Sequence, residues 1–227
     1  MPGKNIVKTY VENGFYHLYN RGVEKRDIFL DDYDYSTFLF YLKFYLTPPS
    51  LLQEKDKVEP NKKKKIRLNI NQVSLYNQIK LISYCLMPNH FHLLVKQTEK
   101  ESITKFTRRL LTAYSMVFNK RHHRVGTLFQ GRYKAVLVEN DGQLLQLSRY
   151  IHRNPISLAE VGPIHFVTYP YSSLNQYLGI YQTFWLSPRL VLNFFRKNGP
   201  QADYLSFVTE NETEDEVFFL NRLTLDA

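Results

Sequence analysis

Two strand-type runs, 79-IKLISYCLM-87 and 90-HFHLLVKQ-97, flank a break at Pro88-Asn89, and this pair constrains the chain more than any other stretch. Apolar and branched residues at this density build strands for a buried sheet, and Pro with Asn interrupts them. Yet Asn89, His90 and His92 sit inside the run. In a strand, residues two apart face the same way, and at a rise of ~3.3 Å per residue their α-carbons lie ~6.6 Å apart. The two imidazoles can therefore converge on one ion, while Phe91 between them points to the opposite face and into a core. A lone HxH fits a satisfied or surface pair equally well, so supporting chemistry has to come from elsewhere.

The remaining pattern supplies partners for these strands. Residues 14-GFYHLYNRG-22 read as an aromatic strand closed by an Asn-Arg-Gly turn. An aspartate cap signal opens a helix over 31–46, with Phe38, Leu42 and Tyr45 at helical spacing, and Pro48-Pro49 ends it. A second helix is expected from Ser102 to about Lys120, with Ile103, Phe106, Leu110, Tyr114 and Val117 as its apolar stripe. Residues 127–139 read as strand around a turn, and 141–155 as a helix opened by Asp141 and closed by Pro155. Short helical patterns follow near 187–197 and 200–208. The order strand, helix, strand, strand, helix, strand is the ferredoxin-like (RRM-like) arrangement of the α+β class. It sets helices on one face of an antiparallel sheet, with the helix carrying Tyr150 appended and a small helical C-terminal region after it.

We divide the chain at about residue 178, with 1–178 as one domain and 179–227 as an appendage ending in the acidic stretch 210-ENETEDE-216. Within the first part, residues 47–76 are a polar, lysine-rich insertion, with a short strand near 66–72. No window is apolar enough for a membrane span, and the first residues lack the apolar run of a secretory signal. One cysteine, Cys85, excludes an internal disulfide. It reads as a small buried hydrophobe, and the chain as cytoplasmic. Lysine and arginine outnumber acids 30 to 21, and 17 tyrosines and 16 phenylalanines are interleaved with them. That mixture favours a nucleic-acid partner, whose phosphates meet cations and whose bases stack on rings.

The best support for the histidines lies in 147-LSRYIHRNP-155. Tyr150 and Asn154 are four apart, so on a helix they share a face at ~5–6 Å. An amide oxygen there suits a hard cation such as magnesium or manganese, and manganese also accepts imidazole. The alternative is an exposed helix end, where Asn before Pro is an ordinary stop.

Together, YHLYNRG, YCLMPNHFHLLVKQ, RVGTLFQGRYKAVLVEN and LSRYIHRNP, in this order over residues 14–178, resemble the single-tyrosine HUH transposases of insertion-sequence 200-like type. Within that family the REP-associated tyrosine transposase branch is the more similar. The resemblance implies His90 and His92 as metal ligands, Asn154 as the third, and Tyr150 as the nucleophile. Some relatives carry glutamine at the Asn154 position. It further implies a Mg2+ or Mn2+ cofactor, single-stranded DNA with hairpin elements as partner, and cleavage leaving a 5′-phosphotyrosine and a free 3′-hydroxyl. A monomer or a homodimer is implied, the latter with one subunit's tyrosine serving the other's histidines in some relatives.

Further cations are read as phosphate contacts: Lys105, Arg108 and Arg109 on the second helix, then Lys120, Arg121 and Arg124. Arg132 and Lys134 of 131-GRYK-134 join them, although Arg132 equally fits a pair with an acid. Arg21 is a further DNA candidate beside a turn-chemistry reading. His122 and His123 are assigned to phosphate or solvent, His152 to a non-ligand position, and His17 either to support of the histidine strand or to a satisfied core position. Two other functions fit parts of the pattern. One is a catalytically silent protein that recognises hairpin DNA or RNA. The other, a metallohydrolase, lacks the further ligands and βα units such sites need.

Overall fold

The computed structural model describes residues 10–51 and 74–210. Strand β1 (Phe15–Arg21) leads to helix α1 (Asp32–Leu46). Strands β2 (Ile79–Met87) and β3 (His90–Gln97) follow, then helix α2 (Ser102–Arg121), strand β4 (Lys134–Val138) and helix α3 (Asp141–Arg153). The four strands form one sheet in the order β2-β3-β1-β4 with every neighbouring pair antiparallel. This is the ferredoxin-like order. The expected strand near 66–72, most of the insertion and nearly all of the acidic stretch lie outside the described residues.

The β2–β3 connection is as short as two strands allow. Met87 pairs with His90, so Pro88 and Asn89 alone make the turn. The Pro88 carbonyl, freed from the ladder, accepts from the backbone N–H of Ile28 at 2.8 Å and of Phe29 at 3.0 Å. β2 carries an irregularity between Leu81 and Ser83 that inserts one extra residue. Such a bulge resets the alternation of faces. Leu81 and Tyr84, three apart, both join the core beneath α1 and α2, while Cys85 and Met87 face the other way.

Both faces of the sheet are covered. Tyr16, Leu18, Phe91, Leu93 and Val95 pack against α1 and α2. The stripe of α2 is Ile103, Phe106, Leu110, Tyr114 and Phe118; Phe118 takes the place expected for Val117 because the stripe continues in steps of four. Asp31 caps α1 by accepting from the N–H groups of Tyr33 at 3.1 Å and Asp34 at 3.2 Å. Beyond α1, Thr47 has extended backbone and Pro48-Pro49 block continuation.

Helix α3 lies on the reverse face, where Leu144, Leu147 and Ile151 pack with Ile82, Cys85 and Leu94. Its cap is Asn140, not Asp141. The Asn140 side chain accepts from Gln143 N–H at 2.9 Å, and the Gln143 side chain returns to Glu139 N–H at 2.7 Å. Of the strand expected over 127–139 only Lys134–Val138 forms; Gly131, at a φ of 68°, turns the chain away before it. The C-terminal part closes over the same layers. Trp185 stacks on Tyr84, Leu186 bridges to Leu81, and helix α4 (Pro200–Thr209) sets Tyr204 and Val208 against α3. Segments 171–173 and 185–187 cover the outer edge of β2, which would otherwise expose unpaired ladder groups.

Candidate active site

Three cross-strand rows on the α3 side of the sheet carry the polar groups. Residues directly opposite in an antiparallel pair share a face. One row is Met87–His90–Arg21, the next Cys85–His92–Tyr19–Lys134, the third Leu94–His17–Val136. Phe91 projects into the opposite core, with its ring 5.3 Å from that of Phe38. The two imidazole centroids lie 4.9 Å apart and nearly perpendicular.

Helix α3 brings its functional face to these rows. The Tyr150 ring meets His92 edge-on at 5.4 Å between centroids and His17 at 6.3 Å. One turn later, at the C-cap of α3, Asn154 places Oδ1 3.1 Å from His90 Nε2. The pair four residues apart thus straddles the histidine pair within a single chain.

Each imidazole is held by its far nitrogen. His90 Nδ1 lies 2.6 Å from Asn89 Oδ1, which can only accept, so the ring proton sits on Nδ1. Its Nε2 then faces the amide oxygen of Asn154. A second ring proton, a metal ion, or the Asn154 amide turned to donate from Nδ2 would each reconcile two acceptors so close. Around an octahedral cation with bonds of ~2.1 Å, adjacent donor atoms are about 3 Å apart, the separation found here. His92 is fully buried. Its Nδ1 lies 2.9 Å from His17 Nε2, and its Nε2 has no hydrogen-bond partner among the described residues. Buried polar atoms without a partner are uncommon and call for an explanation such as an ion. Burial, and then the neighbouring His90 and His17, hold the His92 pKa well below its ordinary 6.5. The ring is therefore neutral, the form that ligates metals. Among the described residues no three His, Cys, Asp or Glu side chains could hold an ion together. A third protein ligand to the histidines would accordingly be an amide oxygen, and Asn154 supplies one. These donors fit a divalent cation of the magnesium or manganese kind.

A family model for IS200-like transposases matches residues 52–154, a span that contains both histidines, Tyr150 and Asn154. Over that span, a little under half of the chain, the protein is similar to IS200-like transposases. The fold also resembles that of a solved REP-associated tyrosine transposase bound to a REP hairpin, at 12% identity over 79% of this chain and 89% of that one, with a TM-score of 0.51. A crystal structure of a transposase candidate from Deinococcus radiodurans R1 aligns at 18% identity over 65% of this chain and 95% of that one, with a TM-score of 0.37. No curated protein sequence matches.

The cations of the protein divide between the two faces. Arg21 and Lys134 share the face of the histidines, and Arg21 donates from Nε to Gln130 Oε1 at 2.6 Å. Lys105, Arg108, Arg109 and Lys120 belong to α2, across the sheet from the site. Arg108 and the exposed Arg132 line one open groove with Asn20 and Tyr133. Arg124 lies over the Phe118 ring. Arg121 is engaged with protein acids: it contacts Asp34 at 2.7 Å and Asp31 at 2.5 Å, and covers the Tyr33 ring. This pair lowers the Asp31 pKa to about 2. His122, assigned from sequence to phosphate or solvent, instead sits 3.0 Å from the Asp34 carboxylate. His152 is buried, bonded to Tyr204 and Ser173, and no ligand. The sequence leaves the role of Asn89 unread and that of His17 open; for Asn89 the available signal is its place next to His90.

Proposed function

We propose that this protein nicks single-stranded DNA beside hairpin elements and transfers the strand through a 5′-phosphotyrosine on Tyr150, as a cytoplasmic enzyme of the REP-associated type. The observation that carries the reading is the meeting, within one chain, of the Tyr150 ring with His92 and of Asn154 Oδ1 with His90 Nε2. The hairpin partner is supported by the solved relative that is bound to one.

His90, His92 and Asn154 would hold Mg2+ or Mn2+. When bound, the cation draws charge from a non-bridging phosphate oxygen and fixes the phosphate for in-line attack. Tyr150 supplies the nucleophile. Its oxygen gives up the phenol proton and bonds to phosphorus, the bond from phosphorus to the 3′-oxygen breaks, and the leaving 3′-oxygen takes up a proton. The aryl ester conserves the energy of the broken bond. A 3′-hydroxyl of another strand can then attack the same phosphorus and release Tyr150, where water would lose the linkage. Arg21, opposite His90 in the sheet, and Lys134, in the His92 row, are placed to neutralise flanking phosphates. Arg108 and Arg132 offer a second contact line in their groove, with Lys105, Arg109, Lys120 and Arg124 as outer charges.

The test is to mix the protein with labelled hairpin-bearing single-stranded DNA and Mn2+ and look for a covalent adduct on a denaturing gel. The wild type should form one, and Tyr150→Phe should form none. Tight binding of the hairpin with no adduct in the wild type would instead assign a silent recognition protein.

A further inference from the structure

We infer that His17 is a positioning residue that sets the tautomer of His92, and thereby decides whether that buried imidazole can accept a cation. The inference rests on the cation reading above and adds a residue to it.

His17 and His92 are both fully buried, their rings stack at 5.0 Å with 20° between planes, and His17 Nε2 lies 2.9 Å from His92 Nδ1. Between two neutral imidazoles one hydrogen bond carries one proton, so one ring donates and the other accepts. If His17 donated, His92 would accept at Nδ1 and carry its proton on Nε2. That N–H would then be buried where the described residues offer no acceptor. An orphaned buried N–H is rarer than an unused lone pair. The protein is therefore better satisfied with the proton on His92 Nδ1, donated to His17 Nε2. This tautomer leaves the Nε2 lone pair of His92 open on the side away from His17.

The sheet register makes the contact possible. His92 stands opposite Tyr19 and His17 opposite Leu94, so the two histidines are diagonal neighbours on one face. An imidazole suits the position because it accepts a hydrogen bond without bringing a buried negative charge. Asn89 plays the matching part for His90, with an amide oxygen as the acceptor. Partners of this kind orient metal-binding histidines, and their loss typically costs about 10–100-fold in metal affinity.

The experiment measures Mn2+ binding to the purified full chain without DNA, from the free-Mn2+ signal in electron paramagnetic resonance. It compares wild type, His17→Phe, His17→Gln, His90→Ala and His92→Ala. Glutamine reaches about as far as His Nε2 and restores an acceptor; phenylalanine removes it. His17→Phe should weaken Mn2+ binding at least tenfold, and His17→Gln should recover most of that loss. In parallel, the imidazole 15N shifts of the metal-free wild type should show His92 protonated on Nδ1. A His92 protonated on Nε2, or His17→Phe binding as tightly as wild type while His90→Ala and His92→Ala bind weakly, would overturn the role of His17 alone. Wild-type affinity in His90→Ala and His92→Ala would overturn the cation reading itself. The 15N measurement needs no variant, so a misfolded His17→Phe leaves the inference testable.

Discussion

At the scale of single residues, the site is built from donors that do unequal work. His92 is fixed on both sides by burial and by His17, whereas the contact of Asn154 with His90 is one amide oxygen at the C-terminal end of a helix. What matters at position 154 is an oxygen at that reach. Asn154→Asp should therefore retain Mn2+ binding, and Asn154→Ala should lose about tenfold, near 1.4 kcal/mol; titration of the two variants against Mn2+ checks this. Residue by residue, strand and helix periods put His90 with His92 on one face and Tyr150 with Asn154 on another, and the family resemblance joined the two pairs into one candidate site. The sequence could not show His17 beside His92, since that contact depends on the register between strands 75 residues apart. Nor could it show that Arg121 answers Asp31 and Asp34 across the α1–α2 junction. Charge composition reports a cation without its partner.

At the scale of elements, α3 is the part that must be held in place for Tyr150 to reach the histidine rows. Polar attachments hold it besides apolar packing, among them Ser148 Oγ accepting from the Tyr204 hydroxyl at 3.2 Å. His152 bonds through Nδ1 to the Tyr204 hydroxyl at 2.6 Å and through Nε2 to Ser173 Oγ at 2.7 Å. The Arg149 and Arg153 guanidiniums donate to the carbonyls that end α4. Removing one buried partner leaves the other unsatisfied. Tyr204→Phe should cost about 1–3 kcal/mol in urea unfolding, and should slow adduct formation by disturbing the seat of α3. Burial lowers the His152 pKa from 6.5 to about 3. Its folded pKa lies below the unfolded one, so below pH 6.5 the unfolded chain binds the extra proton and stability falls as pH drops towards 3. Between pH 6 and 4 the wild type should lose stability more steeply than His152→Gln, read from urea midpoints at each pH. Helix existence and type were legible in these segments. The cap at Asn140 and the loss of strand at 127–133 were not, because each turned on a one-residue choice of backbone angle.

At the scale of the whole molecule, the sheet separates two layers. The aromatic core under α1 and α2 occupies one face, and the polar rows with α3 occupy the other. All four site residues meet within one chain, so the geometry predicts action in cis. Mixing Tyr150→Phe with His92→Ala should restore no adduct, whereas a site shared between subunits would regain activity in the mixture. The ferredoxin-like order was readable from the succession of strand and helix patterns, and the cover that residues 171–173 and 185–187 give β2 was not. Their pairing is a bridge or two each, too short to leave a periodic signal.

The alternation along β3 leaves the protein a narrow tolerance for change. Because β3 is bonded on both sides, by β2 and by β1, it has no free edge along which to slide. A single residue gained or lost just before His90 that forced β3 one step along its neighbours would turn both imidazoles into the aromatic core and Phe91 out towards the tyrosine. Loop lengths elsewhere can drift, but inside this strand an odd-numbered change would invert the chemistry.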